Sequence, residues 1–484
     1  MRQIHTQQCQ LGQPPIEKMH FDHHSRDDIP QILCGLQHLY SDPDTQKIIF
    51  EHLEKLIPTD VDANNGRPGM DLWNVFVLAT VRVNLNCDVD RVVELANEHR
   101  SLRMMLGHEG PFALDVRYCR ETVRENLYLV TDEVLADINV AIVCAGHQLL
   151  GKSDVPLLAR CDSFVVETDI EYPTDIRLLN DAMRKVIMAC GQAYKQFGVP
   201  NWRNHKDNHA SVNRLYIRAQ RIKHSSSKDP AKKAAQQDKI IQAHQAFIDR
   251  AGFFLQRAQK TLDRLENVPG SEALCAEINY YGFWAYHQID LIQRRVMSGE
   301  KIPHAEKIFS LFKPYSEWIS KGKAGVSQEL GLRVCIVEDQ FGFLLHHQVM
   351  EQQTDDKVAV SIVRETKARF PNLRLCSFDK GFWSTSNHKE LEEILDKVVL
   401  PKKGSLSKED RERQSDPEFV QARKQHAAVE SAINALEVHG LDFCPDYGLD
   451  KFKRYVALAV VARNIQKIGA ILLQRKRDAE KRQA

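Results

Sequence analysis

Asp162, Asp379 and Glu430 are the residues whose types and settings could do chemistry. Asp162 lies inside an apolar, β-rich run, Leu157-Leu158-Ala159-Arg160-Cys161-Asp162-Ser163-Phe164-Val165-Val166. Asp379 ends a second such run, Leu373-Arg374-Leu375-Cys376-Ser377-Phe378-Asp379. Glu430 falls in a helical pattern, His426-Ala427-Ala428-Val429-Glu430-Ser431-Ala432-Ile433. A carboxylate in a strand expected to be buried is costly unless it is paired or coordinates a cation. No Arg with obvious pairing geometry stands near these three. Brought together, they would suit two hard divalent ions, because Mg²⁺ (or Mn²⁺) prefers oxygen ligands. Two such ions about 3.5–4 Å apart can activate a nucleophile and stabilise the leaving oxygen of an in-line phosphoryl displacement. A lone Asp would read as a surface or capping residue; the three settings together carry the expectation.

The elements that must position these acids follow from the local patterns. Residues 1–150 read as mostly helical. One helix is expected over residues 42–56, with Ile48, Ile49, Leu53 and Leu56 on one side. Asp71 and Asp88 are placed to cap two more. From Leu157 the pattern turns β. Tyr172-Pro173-Thr174-Asp175 then breaks the strand and caps a helix running to about Phe197. Residues 200–300 are polar and helical, broken by His224-Ser225-Ser226-Ser227-Lys228-Asp229-Pro230. After them come strands at 333–337 and 342–347, a helix near 358–370, the Asp379 strand, a helix near 387–395, a short strand at 397–400, the Glu430 helix and a last helix at 449–477. This order predicts an α/β core with a large helical insertion after its first strand. The insertion accounts for the 217 residues between Asp162 and Asp379 (379 − 162), against 51 between Asp379 and Glu430 (430 − 379).

The wording of the sequence adds a resemblance. Cys161-Asp162-Ser163-Phe164-Val165-Val166-Glu167-Thr168-Asp169-Ile170-Glu171-Tyr172-Pro173-Thr174-Asp175 resembles the first catalytic block of DDE transposases of bacterial insertion sequences. Ser377-Phe378-Asp379-Lys380-Gly381-Phe382-Trp383-Ser384 resembles the second, and Glu430-Ser431-Ala432-Ile433-Asn434-Ala435-Leu436 with Gly440-Leu441 the third. Further similarity runs through residues 307–310, 318–323 and 454–458, and the likeness is to the "not classified yet" transposase group, over residues 35–470 or so. It implies an RNase H-like (retroviral-integrase-like) catalytic core. It implies Asp162, Asp379 and Glu430 as ligands of two Mg²⁺ or Mn²⁺ ions, with Asp169 and Asp175 as alternatives for the first acid. Asp162 is favoured because it sits mid-strand, whereas Asp175 reads as a helix N-cap. The implied substrate is double-stranded DNA, both terminal inverted repeats and target, cleaved and then joined by strand transfer, with a homodimer on the DNA. Related transposases carry a Tyr, an Arg and a Lys around the Glu. Here Arg423 and His426 fill the upstream positions and Glu437 stands where the Lys would be, so that Lys380, Arg423 or Lys424 would have to serve the DNA instead.

The implied organisation is a helical N-terminal domain over residues 1–150 for DNA-end binding and dimerisation, and a first part of the core at 151–200. A basic helical insertion follows at 201–300, the rest of the core at 301–445, and a C-terminal helix with a basic, frayed tail at 446–484. The formal net charge is only +1, so a polyanion must be met by local patches. Residues 203–239 supply one, with ten Lys or Arg, among them Arg203, Arg214, Arg218, Arg221 and Lys223, against three Asp. A solvated helical face is the competing reading of that stretch.

Other features carry less. Gly146-His147-Gln148-Leu149-Leu150-Gly151-Lys152-Ser153 matches a phosphate-loop pattern, but that motif needs a strand before it and a helix after it. A helix precedes here and a β-like run follows, so an ATP-dependent transposition helper is the weaker alternative and an interdomain linker the expectation. A catalytically degenerate DNA-binding protein is the other alternative. His20-Phe21-Asp22-His23-His24 offers metal-type donors without a partner set at zinc spacing, and reads as a solvated loop. Eleven Cys without a CxxC pair, no apolar signal core at the N-terminus and no run of eighteen apolar residues predict a cytoplasmic, nucleoid-associated protein with no membrane span.

Overall fold

Alternation of side chains drives Leu157–Thr168 into the longest strand, β1. Leu157, Ala159 and Cys161 are buried on one face, while Leu158, Arg160 and Asp162 are partly covered on the other. The computed structural model describes residues 2–5, 13–57, 69–108, 115–320 and 328–483. It is a mostly helical α/β protein with a mixed seven-stranded sheet. The described chain divides into two units, residues 1–169 with 319–484, and residues 170–318.

The first unit begins with helices α1 (Ile29–Ser41), α2 (Pro43–Glu54), α3 (Leu72–Asn84), α4 (Val89–Glu98), α5 (Arg100–Met105), α6 (Arg120–Leu127) and α7 (Asp132–Leu150), which lead into β1. Asp42 caps α2 by accepting from the Thr45 amide at 3.1 Å, and Asp88 caps α4 by accepting from that of Arg91 at 2.8 Å. Asp71 precedes α3 without capping it through its side chain. Ile49 and Leu53 of α2 are buried as the spacing predicts, but Ile48 is 42% exposed, on the flank of the stripe. Gly66-Arg67-Pro68-Gly69, which the sequence reads as a loop just before α3, falls largely outside the described residues.

The second unit holds α8 (Asp175–Phe197), α9 (His205–Arg221), α10 (Pro230–Leu265) and α11 (Glu272–Ile292). Its core is built on the apolar stripe of α8, including Leu179, Met183, Val186, Ile187 and Cys190, with Trp202 and Phe247 closing it. The Trp202 indole donates to Thr261 Oγ1 at 2.8 Å, so the buried ring leaves no orphan donor. The boundary expected at residue 201 is therefore displaced. Helix α8 belongs with the insertion, because its stripe faces α9, α10 and α11.

The chain then supplies β2 (Glu317–Ser320), β3 (Gln328–Glu338), β4 (Leu344–Met350), α12 (Asp355–Arg369), β5 (Leu373–Phe378), α13 (Thr385–Ile394) and β6 (Lys397–Val399). Helices α14 (Lys408–Ser415), α15 (Pro417–His426) and α16 (Val429–Leu436), the two-residue β7 (Phe443–Cys444) and α17 (Leu449–Gln483) complete it. β3 runs antiparallel to β1, with Ile336 opposite Asp162, and β4 runs antiparallel to β3. β5 lies parallel to β1 on its other side, and β6 parallel to β5. β7 joins that same parallel side of β1 only at Glu167 and Thr168. The edge of β1 between Cys161 and Glu167 is thus left open where β5 departs and before β7 arrives.

Helix α17 is the spine of this unit. It packs on α1, α3, α7 and β4, so the N-terminal helices share one unit with the sheet rather than forming a domain of their own. Asn464 of α17 and Asn139 of α7 serve the backbone of β4. Asn464 Oδ1 accepts from the Leu344 amide at 2.9 Å, and both side-chain amides donate to Leu344 O at 2.9 Å. Both α7 and α17 are long and apolar enough to cross a membrane by composition, but 56% and 72% of their apolar windows are buried inside the protein, as in core helices. The expected frayed tail is instead helix through Gln483. Arg475 donates to Leu149 O at 2.7 Å and Arg477 to His23 O at 2.6 Å, which hold its last turns against the unit.

Candidate active site

The register of β1 and β5 pairs Arg160 with Ser377 and Cys161 with Phe378, so the next step brings Asp162 beside Asp379. Asp162 stands where the parallel edge of β1 opens, and Asp379 directly follows β5, ahead of the 3₁₀ turn Lys380–Phe382, without capping that turn through its side chain. Carboxyl ends of diverging strands are where open α/β sheets bind ligands. Glu430 enters from the first turn of α16, which packs against β1, and a helix N-terminus favours a carboxylate there. The strand between Asp162 and the insertion places all three acids in the first unit.

Their burial differs from the sequence expectation. Asp162 is partly buried, whereas Asp379 and Glu430 are exposed. Two of the three are therefore solvent-facing groups at the mouth of the opening rather than buried charges. Electrostatics shows that they converge. Burial first, and then the charges of Asp379, Asp355 and Glu430, push the Asp162 carboxyl up to about 6 against the stabilising Ser163 amide at 2.8 Å. The donor oxygens of the three acids do not all lie within 4.8 Å of one another.

Asp355 is a fourth acid that sequence reasoning missed. It begins α12, where an Asp reads as an ordinary first-turn residue. Its Oδ1 accepts from Ser163 Oγ at 2.6 Å, one residue from Asp162. A Cβ on Gly381 would come within 2.9 Å of Asp355 Oδ2, so the glycine after Lys380 makes room for this carboxylate. Among the described residues no Lys or Arg forms an ion pair with Asp162, Asp355, Asp379 or Glu430. Arg160, two residues before Asp162, faces Glu338 at 3.4 Å. Asp355, Asp379 and Glu430 all act on the charge of Asp162, and none of the four is compensated by a basic side chain among the described residues; oxygen donors of this kind fit hard divalent cations, which would have to draw them closer together.

His426, at the end of α15, is the other neighbour. Its Nδ1 lies 3.0 Å from Ser377 Oγ, and its Nε2 is buried without a hydrogen-bond partner. Burial lowers its basicity, Asp379 and Glu430 raise it, and Arg160 lowers it again, which puts the ring beside the acid cluster. The sequence marked this position only as a departure from the pattern around Glu430.

The rival first acids lie elsewhere. Asp169 is an exposed bend residue just past β1. Asp175 is not the N-cap of α8: Thr174 is, accepting from the Arg177 amide at 3.3 Å, while Asp175 in the first turn pairs with Arg295 at 3.0 Å in the second unit. The phosphate-loop pattern is the C-terminus of α7. Gly151 adopts a left-handed φ of +68° as its cap, His147 binds buried Asp339 at 2.6 Å, and Gly146 lets Phe343 approach. With a helix before it and no helix after it, it cannot present amides to a phosphate.

Arg203, Arg214, Arg218, Arg221 and Lys223 are all exposed. Arg214, Arg218 and Arg221 follow one another at i, i+4 and i+7 on α9, one face of the helix, and no ion pair neutralises them among the described residues. Arg221 and Lys223 continue into an open cleft of about 630 Å³ shared with His224, Ser225, Lys232 and Lys239. Lys380, Arg423 and Lys424 are exposed in the first unit, Lys380 directly after Asp379 and the other two on α15. No protein-family model matches the chain, and no curated protein and no solved structure matches it significantly.

Proposed function

We propose that this chain is a DDE transposase, binding the terminal inverted repeats of an insertion sequence and catalysing divalent-metal-dependent strand cleavage and strand transfer. The observation that carries this reading is the register that sets Asp162 beside Asp379 at the opening of β1, with Glu430 close enough to raise Asp162's affinity for its proton. An RNase H-like core is supported by the sheet order, in which three antiparallel strands (β4, β3, β1) are followed by two parallel ones (β5, β6). Asp162, Asp379 and Glu430 would hold the cations, and Asp355 lies within reach of the same space.

Bound Mg²⁺ or Mn²⁺ would supply an activated water or 3′-hydroxyl and charge stabilisation at the leaving oxygen. The chain's own residues do the rest. The two aspartates sit on adjacent strands and the glutamate on a packed helix, which holds the donors rigid. Asp162, at about 6, is ionised at neutral pH and able to accept a cation. His426 offers an imidazole held beside the acids, its Nδ1 3.0 Å from Ser377 Oγ. Lys380, Arg423 and Lys424 would bind backbone phosphates near the reaction, and the α9 stripe would supply further phosphate contacts.

The test is nicking of DNA carrying the inverted repeats that flank the gene. Asp379→Asn should bind this DNA like the wild type but lose Mg²⁺-dependent cleavage by about a thousandfold or more. Cleavage at the wild-type rate would sink the proposal. Binding without cleavage by the wild-type chain itself would point to a degenerate, DNA-binding protein.

A further inference from the structure

His23 and His24 lie in a turn ahead of α1, and Glu480 lies near the end of α17. The fold brings these distant positions together. His23 Nε2 is 2.6 Å from Glu480 Oε1, and His24 Nε2 is 3.3 Å from Glu480 Oε2. Three donor atoms, one from each residue, lie within 4.8 Å of one another, the one such grouping among the described residues. The surroundings hold them in place. Arg477, on the turn of α17 before Glu480, donates to His23 O at 2.6 Å, and the His24 amide donates to Asp22 Oδ1 at 2.9 Å. His23 Nε2 is buried and aimed into the cluster, where it meets the Glu480 carboxylate.

We propose that His23, His24 and Glu480 form a binding site for a borderline transition-metal ion, Zn²⁺ by donor chemistry, that clips the N-terminal turn to the end of α17. Two imidazoles and one carboxylate, with a water at the fourth position, are a known tetrahedral Zn²⁺ donor set. Tetrahedral ligands at Zn–N and Zn–O lengths of about 2.0–2.2 Å sit about 3.3 Å apart. The His24 Nε2–Glu480 Oε2 separation already has that value, whereas His23 Nε2 meets the other carboxylate oxygen, Oε1, at 2.6 Å and must give up that contact to share the ion. His24 is well exposed, which leaves the open position to water. Mg²⁺ disfavours imidazole and demands oxygen ligands, so this site and the acid cluster at β1 select different ions. The inference stands apart from the transposase reading, since neither needs the other.

The experiment is a titration of the full-length chain with Zn²⁺ and with Co²⁺, followed by calorimetry, thermal midpoint and visible absorption. The wild type should take up one Zn²⁺ equivalent that raises its melting temperature. Its Co²⁺ form should show tetrahedral bands without thiolate charge transfer, which separates this site from the exposed Cys119 and Cys144. His24→Asn and Glu480→Gln, both at exposed positions that leave the core intact, should each weaken this uptake at least about tenfold and abolish the shift. Unchanged affinity and spectra in both variants, or thiolate bands in the wild type, would overturn the proposal.

Discussion

Asp162 holds its proton more tightly than a free carboxyl because it is partly buried among Asp379, Asp355 and Glu430. Its folded value of about 6 lies above the unfolded one, near 3.9. Between these values the folded chain binds more protons than the unfolded chain, so stability falls as pH rises through this window, and the penalty persists above it. Asp162→Asn removes the charge and keeps the shape. In metal-free buffer it should be more stable than the wild type at pH 8 by about 1–3 kcal/mol, with the gap closing by pH 4. Denaturation midpoints at pH 4, 6 and 8 measure this, and Mg²⁺ at pH 8 should narrow the gap by stabilising the wild type alone. A gap that is independent of pH would mean that neither burial nor the neighbouring acids raise Asp162. At this scale the sequence was informative where a residue has distinctive neighbours. Asp379 and Glu430 stand in such surroundings. Asp355 did not, because a helix-starting Asp is commonplace and only the fold carries α12 to Ser163. Exposure was misjudged at Asp379, because the apolar run before it ends one residue earlier, at buried Phe378.

Between elements, the crossing of α1 and α17 shows what the pattern of apolar residues could and could not reveal. Strands β1, β3, β4, β5 and β6 were legible from β-branched and apolar runs, helix α2 from its apolar spacing and α4 from its Asp88 cap. β7 has two residues and α14 no buried residue, too little for any periodicity to register. Helix α17 was visible as a helix, but its place in the core was not, since contacts with α1 and α7 join the two ends of the chain. The close approach depends on two glycines. A Cβ on Gly35 would lie 2.2 Å from Ile465 O, and one on Gly469 would lie 1.9 Å from Gln31 O. Gly→Ala inside a helix ordinarily stabilises by up to about 1 kcal/mol. Here the clash is with backbone, which cannot swing aside, so the sign reverses. Gly35→Ala and Gly469→Ala should each destabilise the first unit by about 1–3 kcal/mol, read as a lower denaturation midpoint. A midpoint at or above the wild type would show that the helices separate without penalty.

For the whole molecule, the near-neutral net charge of +1 hides an uneven distribution. The second unit carries a stripe of unpaired cations, Arg214, Arg218 and Arg221 on α9, with Arg203 before it and Lys223 after it. Surface cations on a solvated helix are commonly matched by i,i+4 acids, as Arg294 is by Asp290 at 3.2 Å. The α9 stripe has no such match among the described residues, and this favours a polyanion-binding face over a merely solvated one. A contact that neutralises a phosphate releases counterions, and log K then falls with log salt by about 0.9 for each phosphate met on duplex DNA. Replacing Arg214, Arg218, Arg221 and Lys223 with Gln should therefore weaken DNA binding uniformly across sequences and flatten the salt slope by up to about 3.6. Neither the acid cluster nor its metal affinity should change, because the substituted residues lie in the other unit. Binding measured between roughly 50 and 200 mM salt decides the matter. An unchanged slope in the fourfold variant would make the stripe a solvated face and leave DNA to Lys380, Arg423 and Lys424. A slope flattened by the full amount would place four phosphates on α9 and the turn that follows it.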